Sequence, residues 1–275
     1  VKDAAHLFEG RDVTVHALGA GQLFDGGPVM RIEGTYLDFA RYETSLLGFL
    51  SHASGVATAA LDVRRAAPES SVLSFGARHV HPSIAAMVER SALLAGLDGF
   101  SHVAAGDVLG REAGGTMPHA LVICFGRGNQ EQAWRAFDEA VAEDVPRVAL
   151  CDTYDDEVEE VLRAVDAVED LDSVRIDTTS SRRGDFEHII RELRWKLDER
   201  GHEDIGIFAS GGIADSRGMA ISKSGCGKYS KGCCNCKLLH DRIPLRSGSV
   251  TVRPSQGRNV IQLTGRSTPG RQKIM

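Results

Sequence analysis

After Pro68 the chain repeats one pattern: a short apolar segment, a polar or glycine-rich rim, and a stretch with apolar residues at helical spacing. Residues 71–74, 147–151, 173–176 and 205–209 are predicted strands. The helices after them are predicted to turn these residues toward a core: Ile84, Met87, Val88, Val158, Val161, Leu162, Val165, Phe186, Ile189, Ile190, Leu193 and Leu197. Such alternation is typical of βα units on a parallel sheet, so we predict an α/β barrel portion over residues 68–213.

The first part of the chain has a different pattern. Residues 13–18 and 28–33 show short apolar alternation between glycine turns, which predicts strands and hairpins in a small β-rich unit over residues 1–36. Residues 37–67 are predicted to form a long helix that bridges this unit to the barrel. Its apolar face is predicted to carry Tyr42, Leu46, Phe49 and Leu50.

Composition narrows the class of protein. At 275 residues and 42% hydrophobic content, the chain can bury a sizeable core. Residues 1–213 carry 36 acidic and 20 basic side chains, and such an acidic body argues against a nucleic-acid partner. No run approaches the roughly 18 apolar residues of a membrane span, and the first residues resemble no signal peptide. We expect a cytoplasmic protein whose natural N-terminus is missing.

Polar residues follow the predicted strands. Asp152, Asp177 and Ser210 each come directly after an apolar segment, and so does the turn from Phe75 to Arg78. In a parallel barrel the carboxyl ends of the strands meet at one mouth, where such barrels do chemistry. Either aspartate alone could equally be a helix cap. Their shared position favours a common site.

The chemistry of these side chains suits a phosphorylated sugar and an aromatic acid. Asp152 and Asp177 can hold Mg²⁺ or ribose hydroxyls, and Arg78 and Arg175 can clamp a carboxylate or a phosphate. The backbone amides of Ser210-Gly211-Gly212 can face an anion, although a Gly-Gly turn is often only a turn. Phe75 offers a flat apolar surface beside Arg78.

His119 lies directly after Pro118 and close behind Gly114-Gly115. The apolar run 121–125 is predicted to anchor this turn in the core, with the imidazole at the rim. A histidine there can act as nucleophile, general base or ligand, or be structural only. Cys124 and Cys151 lie in apolar runs and are predicted core residues.

Six motifs in order make the pattern specific: Phe75-Gly76-Ala77-Arg78, Gly115-Thr116-Met117-Pro118-His119-Ala120, Cys151-Asp152-Thr153-Tyr154, Arg175-Ile176-Asp177-Thr178, Ser180-Ser181-Arg182-Arg183-Gly184 and Ser210-Gly211-Gly212. Together they resemble the nicotinate phosphoribosyltransferase family, and its archaeal members most closely. The resemblance covers roughly residues 13–213.

The resemblance implies an irregular type II phosphoribosyltransferase α/β barrel, incomplete here, with a small β-rich N-terminal domain. It implies transfer from phosphoribosyl pyrophosphate to nicotinate, coupled to ATP as a co-substrate, with Mg²⁺ and a homodimer or higher oligomer. No residue is assigned as a metal ligand. The implied site consists of catalytic His119, Asp152 and Asp177, substrate-binding Phe75, Arg78, Arg175, Thr116 and Ser180, and phosphate-binding Ser210, Gly211 and Gly212. His119 resembles the histidine that ATP phosphorylates in this family.

Two departures leave alternatives open. The family's stacking aromatic from an N-terminal segment is missing, and no strand with a second glycine-rich phosphate turn is recognisable after Ile213. A runner-up is quinolinate phosphoribosyltransferase, whose dicarboxylic substrate needs a more basic pocket than two arginines give. The other is an inactive ligand-binding fragment of the same fold.

The last segment, residues 214–275, has 2 acidic and 12 basic residues. Cys226, Cys233, Cys234 and Cys236 suggest a zinc site, but adjacent cysteines rarely ligate one ion together. The abrupt change in composition also fits a shifted reading frame or a gene-model error. We predict that Ala220 to Met275 lacks packed secondary structure.

Overall fold

The structure is a computed structural model that describes residues 1–179, 181, 184–213, 234–238, 249–255, 258–264 and 273–274. The N-terminal part begins with helix α1 (Lys2–His6) and strands β1 (Val13–Ala17), β2 (Leu23–Phe24) and β3 (Pro28–Gly34). Helix α2 (Tyr36–Phe39) and a 3₁₀ turn (Ala40–Tyr42) lead into the long helix α3 (Glu43–Ala66).

Helix α3 contributes to two cores. Its first half packs Leu46 and Leu50 with Phe8, Met30 and Ile32 of the N-terminal unit. Its second half contributes Ala57, Ala60 and Val63 to the core of the α/β unit. Phe49, predicted on the apolar face, is instead 44% exposed.

The predicted βα alternation is present. The remaining elements are β4 (Ser71–Ser74), a 3₁₀ turn (Gly76–His79), α4 (Pro82–Leu94), β5 (Gly99–Phe100), α5 (Val103–Leu109), α6 (His119–Phe125), α7 (Gln130–Ala140), β6 (Val148–Leu150), α8 (Glu157–Ala167), β7 (Ser173–Ile176), α9 (Phe186–Glu199), β8 (Gly206–Ala209) and β9 (Cys234–Leu238). Of the twelve helix positions predicted to face the core, half are fully buried and the rest are half-buried.

Strands β4 to β9 form one parallel sheet in the order β5-β4-β9-β8-β7-β6. Leu150, Arg175 and Phe208 are partners across β6, β7 and β8, so the carboxyl ends of these strands lie side by side. Within the described ranges β5 and β6 are edges and the sheet does not close. The predicted fold class, an incomplete α/β barrel with a β-rich N-terminal domain, is confirmed.

The prediction that Ala220 to Met275 lacks packed secondary structure does not hold for the parts of this segment that the structure describes. Strand β9 lies between β4 and β8, where the sequence had shown no strand. Strands β10 (Ser249–Ser255) and β11 (Arg258–Thr264) extend the sheet of β1 and β3, and β12 (Lys273–Ile274) pairs with β2. Composition alone gave the wrong expectation, because these strands pair through main-chain hydrogen bonds with open strand edges, and such bonds depend little on side-chain composition. Cys226 and Cys233 lie outside the described residues.

The helical stretch Tyr36–Ala66 also corrects an expectation. By length and composition it is apolar enough to cross a membrane, with a mean hydropathy of 1.3 over its most apolar window. Core helices pass the same test. Six residues of α3 (Leu46, Leu50, Val56, Ala57, Ala60 and Val63) are buried within the protein.

Candidate functional site

Three of the predicted site residues follow neighbouring strands. Asp152 comes after β6, Asp177 directly after β7 and Ser210 directly after β8. Because these strands are adjacent and parallel, their polar ends meet at one edge of the sheet. The main chain adds to the contact, since Ser210 N–H donates to the carbonyl of Ile176 at 2.8 Å.

Asp152 is the centre of this edge. Its side chain is only 2% exposed, and its Oδ1 lies 3.1 Å from Nε2 of His119. Its Oδ2 accepts from the N–H of Asp177 at 2.8 Å and lies 3.3 Å from the hydroxyl of Thr178. Asp152 therefore orients the imidazole and ties the end of β6 to the end of β7.

His119 begins helix α6 immediately after the extended Pro118. Its side chain is 38% exposed, so it reaches the rim as predicted. The run after it is a helix with only Val122 fully buried, while Cys124 is exposed and Ile123 is 56% exposed. The prediction of Cys124 as a core residue is wrong, because a helix turns consecutive residues to different faces; that of Cys151 is confirmed.

Arg175 is buried within β7 and connects several segments. Its guanidinium donates to Ser210 Oγ at 3.1 Å, to Thr116 Oγ1 at 3.2 Å and to the carbonyl of Met117 at 3.0 Å, and it pairs with Asp177. Burial lowers the pKa of Arg175, Asp177 and Asp152 oppose this, and the charge of Arg78 lowers it further. Arg175 thus holds the segment before His119 on the strand ends.

Ser210-Gly211-Gly212 forms the turn after β8. Ser210 is fully buried, and its hydroxyl lies 2.7 Å from Oδ1 of Asp177 and 3.1 Å from the carbonyl of Ile176. Gly211 has φ of +87°, and a Cβ there would lie 2.7 Å from the carbonyl oxygen of Asp177. Only glycine fits this close approach of two main chains. Gly212 has φ of +79° but open space around it.

The Phe75 to Arg78 turn closes the other side of the site. Phe75 follows β4 and packs edge-on against Phe208 of β8, with ring centroids 6.2 Å apart. Phe208 is the strand partner of Arg175, and Arg78 is exposed but near enough for its charge to act on Arg175. An apolar ring therefore lies against β8, with a cation near Arg175, while Ser180 lies outside the described residues.

Sequence reasoning missed two carboxylates behind the strand ends. Glu157 accepts from the Thr178 hydroxyl at 2.6 Å. Glu160 is fully buried and accepts from the main-chain N–H groups of Thr153, Tyr154 and Asp155 at 2.8 to 3.0 Å. The signal was present, because Glu160 lies on the same helical stripe as the buried Ala164. A charged residue on a buried stripe indicates a bonded partner.

A magnesium ion does not fit the carboxylates directly. Both oxygens of Asp152 and both of Asp177 already have protein donors, and among the described residues no group of three His, Cys, Asp or Glu side chains could hold a metal ion. Hard cations need free carboxylate oxygens. The arrangement instead offers an oriented imidazole, a buried negative charge, a glycine turn and an aromatic surface near a cation.

Family models match nearly all of the described α/β and N-terminal elements. The N-terminal domain of quinolinate phosphoribosyl transferase matches residues 1–54, and the C-terminal domain of the same family matches residues 56–237. The second match continues past Ile213, where the resemblance was expected to end. Strand β9 accounts for this, because it completes the middle of the sheet.

Two individual relatives are named as nicotinate phosphoribosyltransferases. Nicotinate phosphoribosyltransferase pncB2 of Mycobacterium tuberculosis is 30% identical over 210 residues, and nicotinate phosphoribosyltransferase of Bacillus subtilis is 27% identical over 218. The alignments cover 74% and 76% of this chain but only 43% and 42% of those proteins. The chain therefore spans less than half the length of these curated relatives.

Solved structures agree on the fold. Nicotinate-nucleotide pyrophosphorylase from Pyrococcus furiosus is 46% identical, with a TM-score of 0.80 over 86% of this chain and 59% of that one. Human nicotinic acid phosphoribosyltransferase is 24% identical, with a TM-score of 0.60 over 82% of this chain and 55% of that one, and supports the fold alone.

Proposed function

Because the chain belongs to the quinolinate phosphoribosyl transferase family, we propose that it transfers the phosphoribosyl group of phosphoribosyl pyrophosphate to the ring nitrogen of nicotinate. The nitrogen lone pair forms a bond to C1 of the ribose, and the bond from C1 to the pyrophosphate oxygen breaks with its electron pair. Nicotinate mononucleotide and pyrophosphate leave. This is a step of pyridine nucleotide biosynthesis.

The pairing of His119 with a buried Asp152 at the strand ends is the observation that carries the proposal. Departure of pyrophosphate leaves positive charge on the ribose carbon, and fixed carboxylates at a water-poor edge stabilise such charge. Asp152 is held by contacts from two segments, His119 and the residues directly after β7, so its charge is already in place before reaction. The turn after β8 would hold the 5′-phosphate at Gly211 and Gly212, because the N–H and the hydroxyl of Ser210 are already bonded to Ile176 and Asp177.

In this proposal the aromatic acid binds at the end of β4, beside the Phe75–Arg78 turn. The pyridine ring would pack on Phe75, and its carboxylate would lie toward the exposed Arg78. Holding a weak nucleophile in line with the breaking bond accounts for much of such catalysis. Arg175 is already paired with Asp177, so we assign it to holding the Thr116–Met117 segment rather than to the substrate carboxylate.

ATP is proposed as a co-substrate that acts through His119. With Nε2 facing the Asp152 carboxylate, Nδ1 keeps its lone pair and can attack the γ-phosphorus, releasing ADP. Later hydrolysis of the phosphohistidine restores the enzyme. Magnesium would arrive on the pyrophosphate oxygens, and no step assigned to these residues depends on it.

Quinolinate is the second candidate, because the matching domain models carry its name. Its two adjacent carboxylates need more positive charge than nicotinate does. In the described part of the site Arg175 is paired with Asp177, and three acidic side chains (Asp152, Asp177 and Glu157) lie nearby. This charge balance favours the monocarboxylate.

An assay of both acids tests the proposal. Labelled nicotinate or quinolinate is incubated with phosphoribosyl pyrophosphate, with and without ATP, and product nucleotide and carbon dioxide are measured. We expect nicotinate mononucleotide; carbon dioxide from quinolinate would favour the second candidate. Binding without product in calorimetry would favour a ligand-binding fragment.

A matched pair of variants links the activity to the site. Asp152→Asn should lower kcat by roughly 10² to 10³-fold, because the oriented charge is lost. Asp172→Asn changes a carboxylate at the opposite end of β7, which accepts from the N–H of Arg147 at 2.6 Å, and should leave kcat unchanged. Equal losses in both variants would contradict the site assignment.

We also propose an oligomeric state and a cellular location for this chain. The resemblance to this family implies a homodimer or higher oligomer in the cytoplasm. Light scattering on the purified 275-residue chain measures its mass in solution directly, and a monomer that turns over substrate would contradict the proposed assembly.

A further inference from the structure

Glu89 is a buried carboxyl group that the proposed reaction does not use. It lies on α4 and is 0% exposed, on the same helical stripe as the buried Ala85 and Ala92. Two groups lie close enough to act on its pKa: the hydroxyl of Ser74 and the main-chain N–H of Ala77. Both belong to the segment that carries Phe75 and Arg78.

The contacts around Glu89 are incomplete. Within the described residues, neither carboxyl oxygen of Glu89 nor the Ser74 hydroxyl is in a hydrogen bond of full geometry. Desolvation raises the pKa of Glu89 to about 7, and the Ser74 hydroxyl and the Ala77 N–H only partly oppose it. A buried polar group without full partners is costly, so this one has a role that offsets its cost.

The position of the two neighbours suggests that role. Ser74 directly precedes Phe75, and Ala77 directly precedes Arg78. The 3₁₀ turn Gly76–His79 then leads into α4, so Glu89 faces back toward the turn at the start of its own helix. We propose that Glu89 is a positioning residue, whose carboxyl group holds the Phe75–Arg78 turn against α4 for the aromatic acid. This inference rests on the proposed function for what the turn binds.

The carboxyl group suits this task better than an apolar side chain. It can accept from the Ser74 hydroxyl and the Ala77 N–H at once, which fixes both ends of the short segment between them. In this proposal the bound aromatic acid draws the turn toward α4, which completes these hydrogen bonds. Packing of a ring on Phe75 and completion of these bonds then favour each other.

Amide hydrogen exchange tests the contact without any substrate. In the 275-residue chain, a peptide covering residues 71–81 should exchange roughly 5- to 10-fold faster in Glu89→Ala than in the wild type. Glu89→Gln keeps one acceptor oxygen and should recover part of the protection. Ser91→Ala is the matched control, because its buried hydroxyl bonds within α4 to the carbonyl of Met87 at 2.7 Å.

Kinetics tests what the contact is for. Glu89→Ala should raise KM for nicotinate roughly 10-fold, with little change in KM for phosphoribosyl pyrophosphate or in kcat, because only the ring side of the site is loosened. Ser74→Ala should act in the same direction. Equal losses in all kinetic constants, together with faster exchange throughout the chain, would show a purely structural role and overturn the inference.

Failure of the proposed function and failure of the positioning role of Glu89 give different results. A wild-type chain that turns over no aromatic acid contradicts the proposed function, while exchange of residues 71–81 still tests the contact of Glu89. Unchanged exchange in Glu89→Ala overturns the positioning role even where the enzyme is active. Faster exchange confined to this peptide supports it.

Discussion

The two sides of the candidate site are built differently. At the ends of β6, β7 and β8, Asp152 and Arg175 are buried and Asp177 is half-buried, and the three are bonded to one another through side chains and main chain. At the end of β4, Arg78 is exposed, and the buried Glu89 and Ser74 behind the turn lack hydrogen bonds of full geometry within the described structure.

The difference separates two tasks. The bonded side fixes charge in advance, which is what stabilisation of a developing positive charge needs. The side at β4 relies on ring packing and a solvent-facing cation, so it can adjust to its ligand. Variants on the bonded side should therefore affect stability and kcat, and variants on the β4 side should affect binding of the aromatic acid.

The largest expected effect comes from comparing the two arginines. Arg175→Ala removes a buried guanidinium that bonds to four other residues, among them the half-buried Asp177, and should lower the free energy of unfolding by about 3–5 kcal/mol. Arg78→Ala removes an exposed side chain and should change it by less than about 0.5 kcal/mol. Urea unfolding followed by circular dichroism measures both. Similar values for the two would remove the distinction between the sides.

The two glycines after β8 give the next effect. Gly211→Ala places a methyl group against the main chain of Asp177 and Thr178 at positive φ, and should cost roughly 2–4 kcal/mol of stability. Gly212→Ala has the same sign of φ but open space, and should cost about 1 kcal/mol. Thermal unfolding compares them, and a larger loss at Gly212 would contradict the close packing described for this turn.

The pH dependence of stability reports on the β4 side. The pKa of Glu89 is raised to about 7 in the folded protein, so the folded state binds this proton more tightly than the unfolded state. Its contribution is fully present below the unfolded pKa near 4.5 and is lost as pH rises through about 7. The loss is on the order of 3 kcal/mol.

Measuring the wild type against Glu89→Gln isolates that contribution. Carboxyl groups whose pKa is lowered, such as Asp155 and Asp185, shift stability in the opposite direction in both proteins and cancel in the difference. Unfolding free energies at several pH values from 4 to 8 should show the wild type losing stability relative to the variant. A difference that does not change with pH would show that the pKa of Glu89 is the same in the folded and unfolded states.

The smallest effect concerns His119. His119→Ala should remove ATP stimulation and any acid-labile phosphoryl label but leave a slow transfer, a loss of roughly 10-fold in rate, because Phe75 and the turn after β8 act without the imidazole. Rates with and without ATP, and labelling with ATP carrying a radioactive γ-phosphate, measure this. A variant with its full ATP-stimulated rate would show that His119 is a structural residue at the rim.

Much of the α/β unit followed from local pattern. Strands β4, β6, β7 and β8 were predictable because short apolar segments between polar rims form buried parallel strands. Asp152, Asp177 and Ser210 were recognisable for the same reason, since a polar residue directly after such a strand must lie at its carboxyl end. The site on three of the strands was thus visible as positions along the chain.

Other features were not visible, because their partners are distant in sequence. Strand β9 lies in a segment of altered composition, and only pairing with β4 and β8 reveals it. Glu89 does not stand out in the sequence of its helix. Its position on the same helical stripe as Ala85 and Ala92 could nevertheless have indicated that it is buried.

The sequence by itself determined which residues stand at the strand ends, because strand and helix periodicity is a local property of the chain. It left open whether Asp152 or Asp177 orients His119. The tertiary structure decided for Asp152, 33 residues away, and it paired Arg175 with Asp177 and with Thr116, 59 residues away. Such choices depend on where distant segments meet in the folded sheet, and no local pattern contains that information.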